Sequence, residues 1–306
     1  MSVADLVAAA RAGDRRATAR LITAVENGTP AAPEVARLVK GGDSTVVGVT
    51  GSPGVGKSTL VSALIAAWRE QGLRVGVLAV DPSSPFSGGA ILGDRVRMAD
   101  HALDPGVYIR SIATRGHLGG LAATTGAAVR VLEGVGFDVV IVETVGVGQA
   151  EVEIAALADT TLLLLAPGMG DGIQAVKAGV VEIADVYVVN KADRPGADGT
   201  VRDLRALMSL VRREPGEWRQ PICTTVASEA KGIDDLVAAI GKHRDWLAGG
   251  DHLAEQRRRR AAAEIRARVD AELRARFAVP EALAEAVANG ETDVASAARR
   301  VLGDTA

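Results

Sequence analysis

The sequence predicts an α/β fold with a mostly parallel central sheet flanked by helices, and three observations carry that prediction. Seven apolar runs of strand length recur between residues 45 and 226, and helix-type patterns alternate with them. The runs are nearly continuous in Val, Ile and Leu, as in strands buried on both faces. Between the first run and the first of these helices lies a glycine-rich turn of fixed spacing, Gly51-Ser52-Pro53-Gly54-Val55-Gly56-Lys57-Ser58-Thr59.

In chain order, residues 1–43 read as a helical lead-in. Ser2 and Asp5 stand at capping-box spacing, and Leu6, Val7 and Ala10 begin an apolar stripe. A second helix follows Asp14 and carries Leu21, Ile22 and Val25. A third begins at Pro33, whose fixed φ suits a first helical turn, and Gly41-Gly42 ends it. The strands that follow are TVVGVT (45–50), RVGVLAV (74–80), GVYIRSI (106–112), DVVIVET (138–144), TTLLLLA (160–166), VYVVN (186–190) and PICTTV (221–226). Helices are expected at 57–70, 120–135, 200–212 and 233–247. This alternation occupies an expected nucleotide-binding domain over 44–248.

A C-terminal helical arm is expected over 249–306. After Gly249-Gly250 the chain runs almost without a breaker, and Leu253, Ile265, Val269, Leu273 and Phe277 make a sparse apolar stripe on a polar helix. Pro280 and Gly290 delimit two short helices. Arg257 to Arg260 form a basic run, but residues 251–306 balance ten Lys/Arg with ten Asp/Glu. The run therefore reads as a solvated or partner-facing face, not a nucleic-acid patch.

Composition narrows the function. The 306 residues carry a net charge of -3, so no global field recruits nucleic acid. One cysteine, Cys223, excludes an internal disulfide and a cysteine-based zinc cluster, and the four histidines are scattered. No apolar run approaches the roughly 20 residues of a membrane span, and the start lacks a secretory pattern. A cytoplasmic protein that does not enter the membrane is expected.

The glycine-rich turn matches G-x-x-x-x-G-K-[ST] in its required strand–turn–helix context, which specifies a P-loop NTPase. Glycines let the backbone N–H groups of Gly51 to Gly56 curl around phosphate oxygens, and the helix N-terminus adds its positive dipole end. Lys57 is expected on the β- and γ-phosphates and Ser58 on Mg²⁺, with Thr59 completing the loop. Asn190-Lys191-Ala192-Asp193 ends the sixth strand and fits the base-reading N-K-x-D pattern. Asp193 would accept the N1–H and N2–H₂ donors of guanine, which adenine lacks, and Lys191 would lie along the purine face. Ser228 and Ala230, after the seventh strand, fit the loop whose backbone touches the base.

Three carboxylates complete the candidate site. Asp81 ends the second strand, Asp94 follows in DPSSPFSGGAILGDRVRM, and Glu143 ends the fourth strand in ETVGVGQ. Carboxylates at the carboxyl edge of a parallel sheet beside a P-loop are candidate holders of Mg²⁺ and its waters. Lys57, Asp81 and Glu143 are the expected catalytic groups. Gln149 is a candidate for positioning water, and Arg95, Arg97 and Glu151 are candidates for facing a partner. With no arginine fixed by motif at the γ-phosphate, unassisted hydrolysis is expected to be slow.

From Thr45 to about Leu247 the chain resembles the MeaB/ArgK group of P-loop GTPases, within the SIMIBI class. The resemblance rests on GSPGVGKST, DPSSPFSGGAILGDRVRM, ETVGVGQAE and NKAD, and extends over the lead-in and the arm. It implies a GTP-hydrolysing chaperone of an adenosylcobalamin-dependent acyl-CoA mutase such as methylmalonyl-CoA mutase, which gates cofactor loading and protects or reactivates that enzyme. It also implies a homodimer joined through the C-terminal helices. Pro85-Phe86 departs from the family, which often carries polar or charged residues there. Two other classes stay open. A metal-inserting GTPase would need Cys/His ligands, which are scarce here. An ATP-using kinase or transport ATPase is opposed by NKAD.

Overall fold

The computed structural model describes residues 1–81, 101, 103–113, 120–144, 155–168, 183–210, 214 and 216–303. The apolar runs become strands β1 (Thr45–Gly51), β2 (Val75–Asp81), β3 (Val107–Ala113), β4 (Val139–Thr144), β5 (Thr160–Leu165), β6 (Val186–Asn190) and β7 (Ile222–Thr225). They form a seven-stranded sheet in the order β3-β2-β4-β1-β5-β6-β7. Every pairing is parallel, so all seven strands end at one edge. β1 lies between β4 and β5, where the chain switches from one half of the sheet to the other. That switch point is where open α/β sheets bind ligands.

Helix α4 (Lys57–Glu70) follows β1, and α5 (Gly120–Gly134) leads towards β4. Further on come α6 (Ala197–Met208) and α7 (Ile233–Ala248). Alternate strand residues bury two faces. Val47, Val49, Val77 and Ile141 pack with Leu60, Leu64 and Ile65 of α4 and Leu236 and Ile240 of α7. Val46, Leu78, Val140 and Val142 face the other way, against Ala128, Val129 and Leu132 of α5. α6 covers Leu163, Leu165, Tyr187 and Val189. It begins earlier than the expected 200–212, because Gly196 in the left-handed region (φ 96°) brings the chain into the helix and its carbonyl accepts from Thr200 N–H at 3.0 Å.

The lead-in forms α1 (Val3–Arg11), α2 (Arg15–Glu26) and α3 (Ala32–Leu38), and the Ser2–Asp5 capping box is present. Leu6, Val7, Leu21, Ile22 and Val35 share one core cluster with the sheet and α5. Arg110 on β3 ties down α2 by pairing with Glu26 and donating to Thr23 Oγ1 at 3.0 Å.

The arm consists of α8 (His252–Arg276), α9 (Glu281–Ala288) and α10 (Val294–Leu302). One expectation is corrected here. Arg257, Arg258 and Arg259 are solvated, but Arg260 is buried, because α5 presents the carboxylate of Glu133 to it. Among the described residues of α8, Arg260, Glu264 and Ala267 are buried, whereas Ile265, Val269 and Leu273 are 64%, 48% and 47% exposed. At about 100° per residue these two sets lie on opposite faces. The arm thus turns charge inward and apolar surface outward.

Where α7 meets α8, His243 is buried with Trp218 (ring centroids 4.7 Å apart), and Trp246 stacks on His252 at 4.1 Å across Gly249-Gly250. Thr160 Oγ1 lies 2.9 Å from His243 Nδ1, and Asp185 Oδ1 lies 3.5 Å from its Nε2. Burial lowers the His243 pKa to about 4 and raises the Asp185 pKa to about 7. The linkage signs are opposite. A depressed histidine makes stability rise with pH between about 4 and 6.5, and a raised carboxyl makes it fall between about 4 and 7. Relative to wild type, urea stability of His243→Gln is expected to tilt downward with rising pH over that window, and that of Asp185→Asn upward. Profiles parallel to wild type would contradict both shifts.

Candidate functional site

The site is built at the carboxyl edge of the sheet. Gly51 closes β1 at φ 144°, and a Cβ there would stand 2.4 Å from the Leu164 carbonyl oxygen, so the strand-to-loop exit admits only glycine. Gly56 enters α4 at φ 97°, and a Cβ there would stand 2.5 Å from Asn190 Nδ2. The N-cap residue Gly56 makes no side-chain cap, so α4 begins on a glycine turn of the kind that presents backbone N–H groups to an anion. The Lys57 ammonium donates to the carbonyls of Gly51 (2.7 Å) and Ser52 (3.1 Å), curled over the loop.

The NKAD segment is locked to that loop. Asn190 Nδ2 donates to Val55 O at 2.9 Å, while its Oδ1 accepts from Thr225 Oγ1 (3.0 Å) and Ala227 N–H (3.2 Å). The buried amide of Asn190 therefore joins the phosphate loop, β6 and the segment after β7. Lys191 takes a left-handed conformation (φ 56°) and donates to Gly54 O at 2.6 Å. A non-glycine residue held there stores backbone strain of about 1–2 kcal/mol, as functional sites often do. Ala192 N–H donates to Thr225 O at 3.0 Å, and Asp193 follows, exposed at the rim.

Past β7, a 3₁₀ turn (Ala227–Glu229) and left-handed Ala230 bring Ser228 and Ala230 to the same rim, both exposed. Lys231 closes the turn through its backbone, with Val226 N–H donating to its carbonyl at 3.0 Å. Its hydrogen bond to Glu229 and the charge of Asp193 hold its ammonium protonated. Sequence reasoning missed Thr225 as the hydroxyl that orients Asn190. Its place at the end of the strand beside NKAD was the available signal.

Glu143, at the end of β4, is buried, and its Oε1 accepts from Ser58 Oγ at 2.9 Å. A hydroxyl and a carboxylate converging beside the phosphate loop are hard oxygen donors, and they fit Mg²⁺. That ion normally takes one or two protein oxygens, with waters and phosphates completing its octahedron. The backbone of Asp81 ends β2, two strands from β1 at the same edge. Asp94, Arg95, Arg97, Gln149 and Glu151, with Pro85-Phe86, lie outside the described residues.

A Walker-type loop tied to an NKAD segment has known counterparts. The description of methylmalonyl-CoA mutase-associated GTPase MeaB matches residues 18–282. The chain belongs to this MeaB family of P-loop GTPases. A protein of Pyrococcus abyssi that carries a GTPase name is 52% identical over 267 residues, 86% of this chain and 82% of the relative. GTPase ArgK of Escherichia coli is 35% identical over 281 residues, 89% of this chain and 85% of the relative. The mouse methylmalonic aciduria type A homolog, named as mitochondrial, is 38% identical over 214 residues, 69% of this chain and 52% of that protein. A solved structure described as a LAO/AO transport system kinase superposes with a TM-score of 0.73 at 28% identity, covering 98% of this chain and 96% of that one. As a MeaB-family member, the chain is a GTPase. Among the described residues no helix is long and apolar enough to cross a membrane.

Proposed function

We propose that this GTPase is a nucleotide-gated chaperone of an adenosylcobalamin-dependent acyl-CoA mutase such as methylmalonyl-CoA mutase. In this role it gates cofactor loading and protects or reactivates its client in the cytoplasm. The observation that carries the reading is the MeaB-family match over residues 18–282. The mouse relative's name, which refers to methylmalonic aciduria, agrees with it. The guanine-type rim favours this reading over an ATP-using kinase. Linkage supplies the mechanism: a partner that binds the GTP and GDP states unequally must in turn shift nucleotide affinity by the same factor. Calorimetry of the protein against a cobalamin mutase, with GDP and with a non-hydrolysable GTP analogue, tests it. Unequal affinities and a stimulated hydrolysis rate are expected; equal affinities without stimulation would leave a GTPase with no such client.

Within this reading, residues 1–43 are the helical extension, 44–248 the GTPase domain and 249–306 the dimerisation arm. Gly51 to Thr59 hold the phosphates, and Lys57 leaves its loop carbonyls to meet the γ-phosphate charge that grows in the transition state. Asn190 holds the rim in place, Lys191 lies along the base, Asp193 reads guanine, and Ser228 and Ala230 border it. Ser58, Asp81, Asp94 and Glu143 hold Mg²⁺ directly or through water, and the ion would neutralise phosphate charge. Glu143→Gln is expected to raise the Mg²⁺ concentration needed for half-maximal hydrolysis by about tenfold, as losing a carboxylate near a metal commonly does. An unchanged Mg²⁺ titration would remove Glu143 from the metal shell.

The homodimer assigned to the arm draws on two features. One is the outward stripe of Ile265, Val269 and Leu273. The other is an apolar groove of about 500 Å³ bordered by Phe277, Val279, Leu283, Val287, Val301 and Leu302. Exposed apolar side chains beside an apolar groove support an interaction site there. Ile265→Asp with Leu273→Asp is expected to give a monomer by light scattering, with hydrolysis by the single subunit retained. A dimer that survives the double change would place the interface elsewhere.

A further inference from the structure

The inverted helix α8 raises a physical question that nucleotide hydrolysis does not answer. Its inner face is ionic. Arg260 spans both oxygens of Glu133 on α5 (3.3 and 3.2 Å) and reaches Glu264 Oε1 at 3.3 Å, while Arg130 of α5 pairs with Glu264. Arg260, Glu133 and Glu264 are all buried. The approach is close, since a Cβ at Gly126 would stand 2.6 Å from Glu264 Cδ. One turn back, Gln256 Nε2 donates to the carbonyls of Ala158 (2.8 Å) and Asp159 (2.9 Å) at the foot of β5.

Such a network is a poor way to gain stability. Removing these charges from water costs several kcal/mol per ion, and pairs at 3.2–3.3 Å return less than shorter ones. Burial pushes the Glu133 carboxyl up even with Arg260 beside it. An apolar inner face would hold the arm at least as firmly. The stripe of Ile265, Val269 and Leu273 shows that the same helix carries the apolar residues such a face would need, yet they point outward.

We propose that the Arg260–Glu133–Glu264 network is an orientation lock, which sets the rotation of the arm about its own axis and keeps the apolar stripe from taking the seat on α5. Hydrophobic contact is non-directional, so an apolar seam would accept either face of the helix. A guanidinium fork spanning one carboxylate fits in one rotation and one register, the best-attested use of buried ions. An inward turn of the stripe would bury three apolar side chains but would strand Glu133 without its arginine, and that penalty closes the alternative. The lock concerns the single chain and holds whether or not two arms pair.

The test uses the full chain with Cys223→Ala and nitroxide labels on cysteines placed at Glu34 and Arg266, both exposed. Dilution with unlabelled protein restricts the distances to one chain. Wild type should give one narrow distance. The triple variant Glu133→Leu, Arg260→Met, Glu264→Met should melt within about 3 °C of wild type or above it, while gaining a second distance population. A single wild-type distance in the folded triple variant would overturn the lock. A melting point well below wild type would also overturn it, because the network would then be a source of stability. Should the triple variant not fold, Arg260→Lys decides: it keeps the charge but loses the fork, and a single narrow distance would overturn the proposal.

Discussion

Lys57→Ala should reduce GTP hydrolysis by about 10²–10³-fold while GDP binding weakens far less, because the lost cation acts mainly on charge that appears in the transition state. Among its described hydrogen bonds, Lys57 donates to loop carbonyls of its own turn, at Gly51 and Ser52. The close packing at Gly51 and Gly56 also shapes the loop, independently of the lysine's hydrogen bonds. Single-turnover hydrolysis at saturating Mg²⁺, with circular dichroism to confirm the fold, measures the effect. A rate within about threefold of wild type would put the chemistry outside this loop.

Asp193→Asn should lower the preference for GTP over ATP by about 10²–10⁴-fold. Two hydrogen bonds to a charged acceptor, at roughly 1.5–3 kcal/mol each, set that range. Asparagine presents an N–H where the carboxylate accepted, so xanthine nucleotides should gain what guanine loses. The rim is fixed from below by Asn190, Val55 and Thr225, so the substitution changes chemistry at the rim without moving it. Competition against a fluorescent GDP derivative reads all three bases. Equal GTP and ATP affinities in the wild type would withdraw the assignment of Asp193.

Much of this architecture was legible because the signals are local. Each strand had its own apolar run, and the phosphate loop and NKAD had fixed spacings. What escaped was set by tertiary partners. Arg260 looks solvated in a run of four arginines until Glu133, 127 positions earlier, is placed beside it. The role of Thr225 requires β7 to lie next to β6. The apolar stripe of α8 was visible, but its outward direction was not, since periodicity gives a face and not the side on which the body lies. Asn190 read as part of the base-reading pattern in the sequence, and its hydrogen bonds to Val55, Thr225 and Ala227 were not legible there.

The stacking of Trp246 on His252 gives the molecule a built-in optical reporter. The chain has three tryptophans. Trp218 and Trp246 stand at the joint between α7 and the arm, and Trp68 is buried near the far end of α4. A helix rise of 1.5 Å per residue puts Trp68 about 16 Å from Lys57. A change in intrinsic emission on adding nucleotide would therefore register motion delivered to the base of the sheet or to the arm joint, not contact with the guanine ring. Stopped-flow fluorescence of the unlabelled protein can time that delivery against phosphate release.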